Sequence, residues 1–164
     1  MPNMPRSVVF IGLALATSVL TGCGGGEKVA TERFIYTTSE DCSAGGKISA
    51  TDCDKAIDQA LVELDKVAIK YPTLADCDKA EGIERCERIG DRHYRPRLMA
   101  FLFTTNSKTT AIPLFAVPVV AGRNAMVFHD ANCTNYDWER TEGISFSKQA
   151  IRKAEGFQPS KKKG

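Results

Sequence analysis

Thr51-Asp-Cys53-Asp-Lys-Ala56-Ile57-Asp-Gln-Ala60-Leu61-Val-Glu-Leu64-Asp-Lys-Val67-Ala68-Ile-Lys70 is the stretch on which the fold turns. Ala56, Ile57, Ala60, Leu61, Leu64, Val67 and Ala68 recur at spacings of three and four. That period gathers side chains onto one face of an α-helix. Asp58, Glu63, Asp65 and Lys66 lie off the stripe. Thr51 is the expected N-cap, with Asp54 at the capping-box position three residues on. The expected helix covers about residues 52 to 70, and Pro72 ends it.

After the proline the count restarts. Thr73 with Asp76 repeats the capping-box pattern and opens a short helix through about Ala80, which Gly82 should stop. Beyond Asp91 the pattern changes to an apolar run, Arg97 to Phe103, a turn-forming stretch, Thr104 to Thr110, and a second run, Ala111 to Val120. Two such runs around a polar turn read as a β-hairpin. Pro113 and Pro118 point to an edge position for its second strand. Asn124 to His129 is a third candidate strand, and Ser147 should cap a short helix through Glu155 that Gly156 terminates. Thr104, Thr105, Asn106, Ser107 and Lys108 interrupt the apolar runs too soon for a membrane span, so core strands are expected. The expected fold class is α+β: a disulfide-stapled amphipathic helix pair, then a small antiparallel sheet and a short C-terminal helix.

Upstream of the helix, Phe34, Ile35 and Tyr36 give a short apolar start, and Cys42 to Thr51 has the composition of a loop. The far N-terminus has a different character. Arg6 is its only charge, Ser7 to Leu20 carries no ionisable group, and Leu20-Thr21-Gly22-Cys23 follows. A positive start, an apolar stretch too short to span a bilayer and a small-residue cleavage zone make an export signal. The last four residues resemble the bacterial lipobox. The resemblance implies cleavage before Cys23 and a lipid on its sulfur, anchoring the chain to the lipid bilayer. Gly24, Gly25 and Gly26 suit a flexible tether, and Gly24 is not the aspartate that resembles an inner-membrane retention signal. The expected organisation is a removed signal at 1–22, a lipid-anchored tether at 23–33, one domain at 34–157 and a basic polar tail at 158–164. The expected location is the cell envelope, facing the periplasm, with the outer membrane favoured.

The sequence has six cysteines. In an exported chain they point to disulfides. With Cys23 lipidated, Cys42, Cys53, Cys77 and Cys86 form two close pairs along the chain and Cys133 stands alone. Four cysteines allow three connectivities, which sequence does not decide. Neighbour pairing, Cys42 with Cys53 and Cys77 with Cys86, is favoured if Gly82 breaks the helix. A continuous helix would hold Cys77 and Cys86 about 13 Å apart, beyond any disulfide.

The formal net charge is +2, and loss of residues 1–22 removes only Arg6. Such a balance excludes a general polyanion binder, so nucleic acid is not an expected partner. Residues 40 to 91 nevertheless carry a net −6 and residues 92 to 164 a net +7. The two halves can attract each other within the fold. Alternatively, the basic half, ending Lys161, Lys162 and Lys163, faces an anionic envelope polymer.

Tyr36-Thr-Thr-Ser-Glu-Asp41-Cys42-Ser43-Ala44, Asp52-Cys53 before the amphipathic helix, then Lys70-Tyr71, Thr73, Asp76-Cys77 and Cys86, resemble the YgiB-type family of bacterial envelope proteins. The resemblance covers about residues 34 to 90. It implies export and a cysteine scaffold, and it brings no activity or catalytic residue with it. Past residue 91 the chain departs from the Gly- and Ser-rich tail of many relatives.

Few residues combine into a chemical site. His129 lies four residues before Cys133, and with His93 the pair offers at most three metal or thiol ligands. Asp-Ala-Asn between them reads as a turn, so neither a metal site nor any cofactor is expected. Cys133 is expected as a buried free thiol that behaves as a small hydrophobe, and Cys133 with His129 is the candidate thiol site should it have a functional role. Asp41 and Asp76 sit where aspartates cap turns and helices. Tyr136, Trp138, Phe146 and Phe157 are expected in the core rather than along a sugar-binding groove. No catalytic set emerges. The leading expectation is a non-enzymatic envelope module with a protein or cell-wall partner, and a small thiol-dependent enzyme or redox factor is the alternative.

Overall fold

The run Leu98-Met-Ala-Phe-Leu-Phe-Thr-Thr105 forms a strand whose apolar residues continue without alternation. A strand reads that way when both of its faces are covered. The computed structural model describes residues 31–116 and 128–156. It has β1 (Glu32–Tyr36), α1 (Ser39–Ala44), α2 (Ala50–Val67), α3 (Leu74–Glu81), β2 (Cys86–Ile89), β3 (His93–Pro96), β4 (Leu98–Thr105), β5 (Thr110–Ala116), β6 (Phe128–His129), β7 (Asn135–Tyr136), β8 (Ser145–Phe146) and α4 (Lys148–Gly156). Six strands form one sheet in the order β7-β6-β5-β4-β1-β8, and β2 and β3 form a separate hairpin.

Strand geometry sends successive side chains to opposite faces. Phe34, Tyr36, Phe101 and Phe103 pack with Cys42, Cys53, Ala56 and Ala60 beneath α1 and α2. Ile35, Met99, Leu102 and Leu114 pack on the other face with Ala150 and Ala154 of α4. The register shift between Leu98 and Ala100 puts both Met99 and Ala100 into this second cluster. The sheet is thus the middle layer of an α+β fold, with helices on both faces.

The expected hairpin is present as β4 and β5, antiparallel. Among the described residues, β6 pairs with Phe115 and Ala116 alone, so Pro113 has no strand partner on the outer side of β5. A missing N–H is tolerated there. Val117 to Val127, with Pro118 and most of the third candidate strand, lies outside the described residues, as do the signal, Cys23, the glycine tether and the C-terminal tail. The described end of the third candidate strand, Phe128–His129, is β6.

Several boundaries differ from expectation. The long helix begins at Ala50, with Ser49 as N-cap and Asp52 as its capping-box partner, because the Ser49 hydroxyl accepts the Asp52 N–H at 3.1 Å and donates to the Asp52 carboxylate at 2.7 Å. Thr51 lies inside the first turn. The helix ends at Val67, five residues before the proline. The segment after Tyr36 forms α1, capped by Thr38, and only its continuation from Gly45 is a loop. Glu32 and Arg33, assigned to the tether, belong to β1. The β2–β3 hairpin has no counterpart in the sequence reading. The sheet is not wholly antiparallel, since β8 runs parallel to β1; the β8–α4 connection is fixed by long-range contacts that sequence periodicity does not register.

Thr73 and Gly82 cap α3 as expected, with the Thr73 hydroxyl accepting the Asp76 N–H at 3.1 Å. Ser147 caps α4 by accepting the Ala150 N–H at 3.0 Å. The same hydroxyl donates to the buried Asp41 carboxylate at 2.5 Å, which also accepts the Thr37 N–H at 2.8 Å. Asp41 therefore ties the β1–α1 turn to the start of α4. Arg95 bonds Glu87 at 2.8 Å and lies 4.0 Å from Asp65, so part of the charge asymmetry is met within the chain.

Candidate functional site

The disulfides are Cys42–Cys53, joining α1 to α2, and Cys77–Cys86, joining α3 to β2. The helix break at Gly82 brings the second pair together, with 6.2 Å between Cα atoms. These four cysteines are buried and serve as staples. Cys133 is free and exposed, which corrects the expectation of a buried thiol. It sits at φ 61°, in the left-handed region, on the turn joining β6 to β7.

Asp130 builds that turn. One carboxylate oxygen accepts the N–H groups of Asn132 and Thr134, each at 2.9 Å, and the other accepts the Tyr136 hydroxyl at 2.9 Å. Burial raises the Asp130 pKa, but these hydrogen bonds outweigh it and leave the group below the ordinary aspartate value. The Asp130 carbonyl accepts the Cys133 N–H at 3.0 Å and faces His129 Nδ1 at 3.0 Å. A carbonyl only accepts, so the neutral imidazole making this bond carries its proton on Nδ1 and presents a bare lone pair at Nε2. That Nε2 is buried and, among the described residues, has no hydrogen-bond partner.

His129 and Cys133 line one cavity of about 370 Å³ between the C-terminal end of α2, Phe115 and the β6–β7 turn. Its walls are mostly apolar, with Leu64, Val67, Ile69 and Pro96 among them. Val67 and Ile69 stand 69% and 63% exposed at its edge, high values for branched aliphatic side chains. The apolar stripe of α2 therefore divides: Ala56, Ala60 and Leu64 are buried, and Val67 lies exposed beyond them. Glu81 also lines the cavity, but its carboxylate already accepts the Tyr71 hydroxyl at 2.7 Å.

His93 is in β3, paired with Ile89 in the separate hairpin, and is not among the residues around the cavity. Among the described residues, no three His, Cys, Asp or Glu side chains are grouped to hold a metal, and no helix is long and apolar enough to cross a membrane. Tyr136 is buried, and Trp138 and Phe146 pack against the α4-side core; Phe157 lies outside the described residues. Asp130 and the α2 wall are the parts of the site that sequence reasoning missed. The Asp-Ala-Asn-Cys-Thr composition signalled the turn but not what it packs against.

Comparison with known proteins places the chain in an uncharacterised group. It is 31% identical over 106 residues to a UPF0441 protein of Yersinia pestis bv. Antiqua, covering 65% of this chain and 44% of that protein. It is 35% identical over 81 residues to a UPF0441 protein of Yersinia enterocolitica, covering 49% of this chain and 35% of that protein. The chain thus spans less than half the length of these relatives. No solved structure matches it. The model of the family described as "Protein of unknown function (DUF1190)" matches residues 30–163, well over half of the sequence, and the chain belongs to that family.

Proposed function

We propose that this protein is exported, lipidated on Cys23 and held at an envelope membrane, with the outer membrane favoured, where it acts as a non-enzymatic interaction module. The observation that carries the reading is the use of four cysteines as two buried staples, which suits a chain that folds in an oxidising compartment. Leu20-Thr21-Gly22-Cys23 supplies the anchor signal, and residues 24–31 separate Cys23 from β1. Eight residues reach up to about 27 Å when extended, enough to let the domain stand clear of the headgroups. Asp41 and Asp76, the acidic residues beside cysteines, have their carboxylates engaged locally, by the Thr37 N–H and the Thr73 hydroxyl. The partner is another envelope protein or a cell-wall component.

Mass spectrometry of the protein purified from membranes tests the reading. A diacylglyceryl mass on Cys23, together with release of Cys23→Ser into the soluble fraction, is the expected result. An unmodified Cys23 in a membrane-associated protein rejects the anchor.

One observation favours a second reading, a thiol-dependent enzyme or redox factor: His129 and Cys133 line the same cavity. Alkylation by iodoacetamide separates the two. A Cys133 that reacts at neutral pH much faster than a free peptide cysteine, and slows when His129 is replaced, supports thiol chemistry. Ordinary reactivity, independent of His129, supports the interaction module.

A further inference from the structure

We infer that the cleft between the α1–α2 loop and the start of α4 takes the phosphate of an anionic phospholipid headgroup and so turns the basic face of the tethered domain onto the bilayer. Lys47 from the loop and Lys148 and Arg152 from α4 line this open cleft of about 630 Å³ beside β8. All three are exposed, and among the described residues none of their side chains has an ion-pair or hydrogen-bond partner. Lys148 and Arg152 stand four residues apart and so share one helix face. Ser145 and Gln149 add a hydroxyl and an amide to the lining. Asp41 also lines the cleft, but Thr37 and Ser147 already engage its carboxylate. Three cations against one engaged carboxylate leave positive charge that a phosphate neutralises through charge-assisted hydrogen bonds.

The layering of the fold selects a bilayer as the source of that phosphate. On α4, Lys148, Arg152 and Lys153 face one acidic residue, Glu155, and the sequence continues to Lys161, Lys162 and Lys163. On the other side of the sheet, the exposed charges of α2 are Asp52, Asp54, Asp58, Glu63 and Asp65 against Lys55 and Lys66. With the sheet and two helices about 10 Å across between them, the two outer faces lie well over a Debye length of about 8 Å apart. An anionic surface therefore attracts one and repels the other. The inference rests on the lipid anchor of Cys23: a chain held to the membrane by a short tether can turn any face to the headgroups, and charge decides which.

Protein purified from membranes is reconstituted into vesicles of phosphatidylcholine, alone or mixed with phosphatidylglycerol. Its lysines are acetylated with acetic anhydride, and the rates are read by peptide mass spectrometry. Lys55 and Lys66 on α2 serve as the internal reference. Lys47 and Lys148 should react at least about five-fold more slowly, relative to that reference, on phosphatidylglycerol vesicles than on phosphatidylcholine alone, the value of one basic side chain at an anionic surface. In 1 M salt, where screening acts beyond about 3 Å, the difference should vanish. Lys47→Glu/Arg152→Glu, checked for folding by circular dichroism, should remove the protection of Lys148. Equal relative rates on the two lipids overturn the docking face, as does protection of Lys148 that survives the double variant. Protection that rises with protein concentration, whichever lipid is present, overturns it in favour of a second copy of the chain. The same peptides give the mass of Cys23, so the two readings fail separately. An unmodified Cys23 rejects the anchor, and the face is then decided by mixing that protein with the two preformed vesicles; an acylated Cys23 without lipid-dependent protection rejects the face alone.

Discussion

Removal of the Cys42–Cys53 bridge should cost more stability than removal of Cys77–Cys86, although the two close loops of similar length. Loop-closure entropy for a sequence separation of 11 is worth about 2.8 kcal/mol at 25 °C, and for a separation of 9 about 2.6 kcal/mol. On entropy alone the double alanine variants would be nearly equal. Position separates them. Cys42 and Cys53 are both 0% exposed and belong to the core between α1, α2 and the phenylalanines of β1 and β4. Alanines there leave a void under α2, which adds on the order of 1 kcal/mol. Cys77 and Cys86 are buried too, but they belong to neither core cluster and hold α3 to the separate hairpin, where the chain around a lost sulfur can close in. Cys42→Ala/Cys53→Ala should therefore lose about 4 kcal/mol and the other pair about 2.6 kcal/mol, a large part of the stability of a domain this size. In urea, with a slope of about 1.5 kcal/mol per molar, the midpoints should fall by about 2.7 M and 1.7 M respectively. Trp138 fluorescence and circular dichroism follow the transition. An equal or larger shift for Cys77→Ala/Cys86→Ala would refute the assignment of the first bridge to the load of the core.

Ser49→Ala should lower stability by about 1 kcal/mol and Thr51→Ala by far less, since Ser49 holds the cap of α2; the two thermal midpoints decide between the structural cap and the one expected from sequence. Gly45→Ala should cost about 1 to 3 kcal/mol, because a Cβ there would lie 2.4 Å from the hydroxyl of the buried Tyr36, which is packed against Phe34 and Phe103; an unchanged midpoint would show that Tyr36 moves freely. Burial, with the hydrogen bond to Glu81 and its charge, pushes the Tyr71 phenol up to about 12 from its usual 10. The folded state thus favours the neutral phenol, so its contribution is complete below pH 10 and is lost as pH rises from 10 through 12. Tyr71→Phe should flatten that alkaline decline, read as urea midpoints at pH 9 and about pH 11.5.

Much of the helical part was legible because its signals are local. The three-and-four stripe from Ala56, the Thr73 and Ser147 caps and the Gly82 stop each depend on residues within a turn or two. The same locality explains the errors. Ser49 and Thr51 are both competent caps two residues apart, and what selects Ser49 is the bridge that pulls Cys53 inward and places Ser39 of α1 against Asp54. Residues 39–44 form a helix that is too short to show a period of its own, held by Thr38 at one end and the bridge at the other.

The candidate site was half legible. His129 and Cys133 were visible as a pair with a turn between them, but spacing alone could not say that Asp130 shapes the turn or that the end of α2 forms the facing wall. The α2 wall is about 60 residues away along the chain.

By itself the sequence determined the α+β class, the amphipathic helix, the β4–β5 hairpin and the neighbour cysteines that could bridge once Gly82 broke the helix. Only the tertiary structure decided the strand order, the parallel placement of β8 beside β1, the coupling of Asp41 to the α4 cap and the cavity that unites α2 with the β6–β7 turn. The division is physical. Periodicity, capping and chain-length limits act over a few residues, whereas sheet order and cavities are set by which apolar faces meet, and that is a property of the whole packed chain.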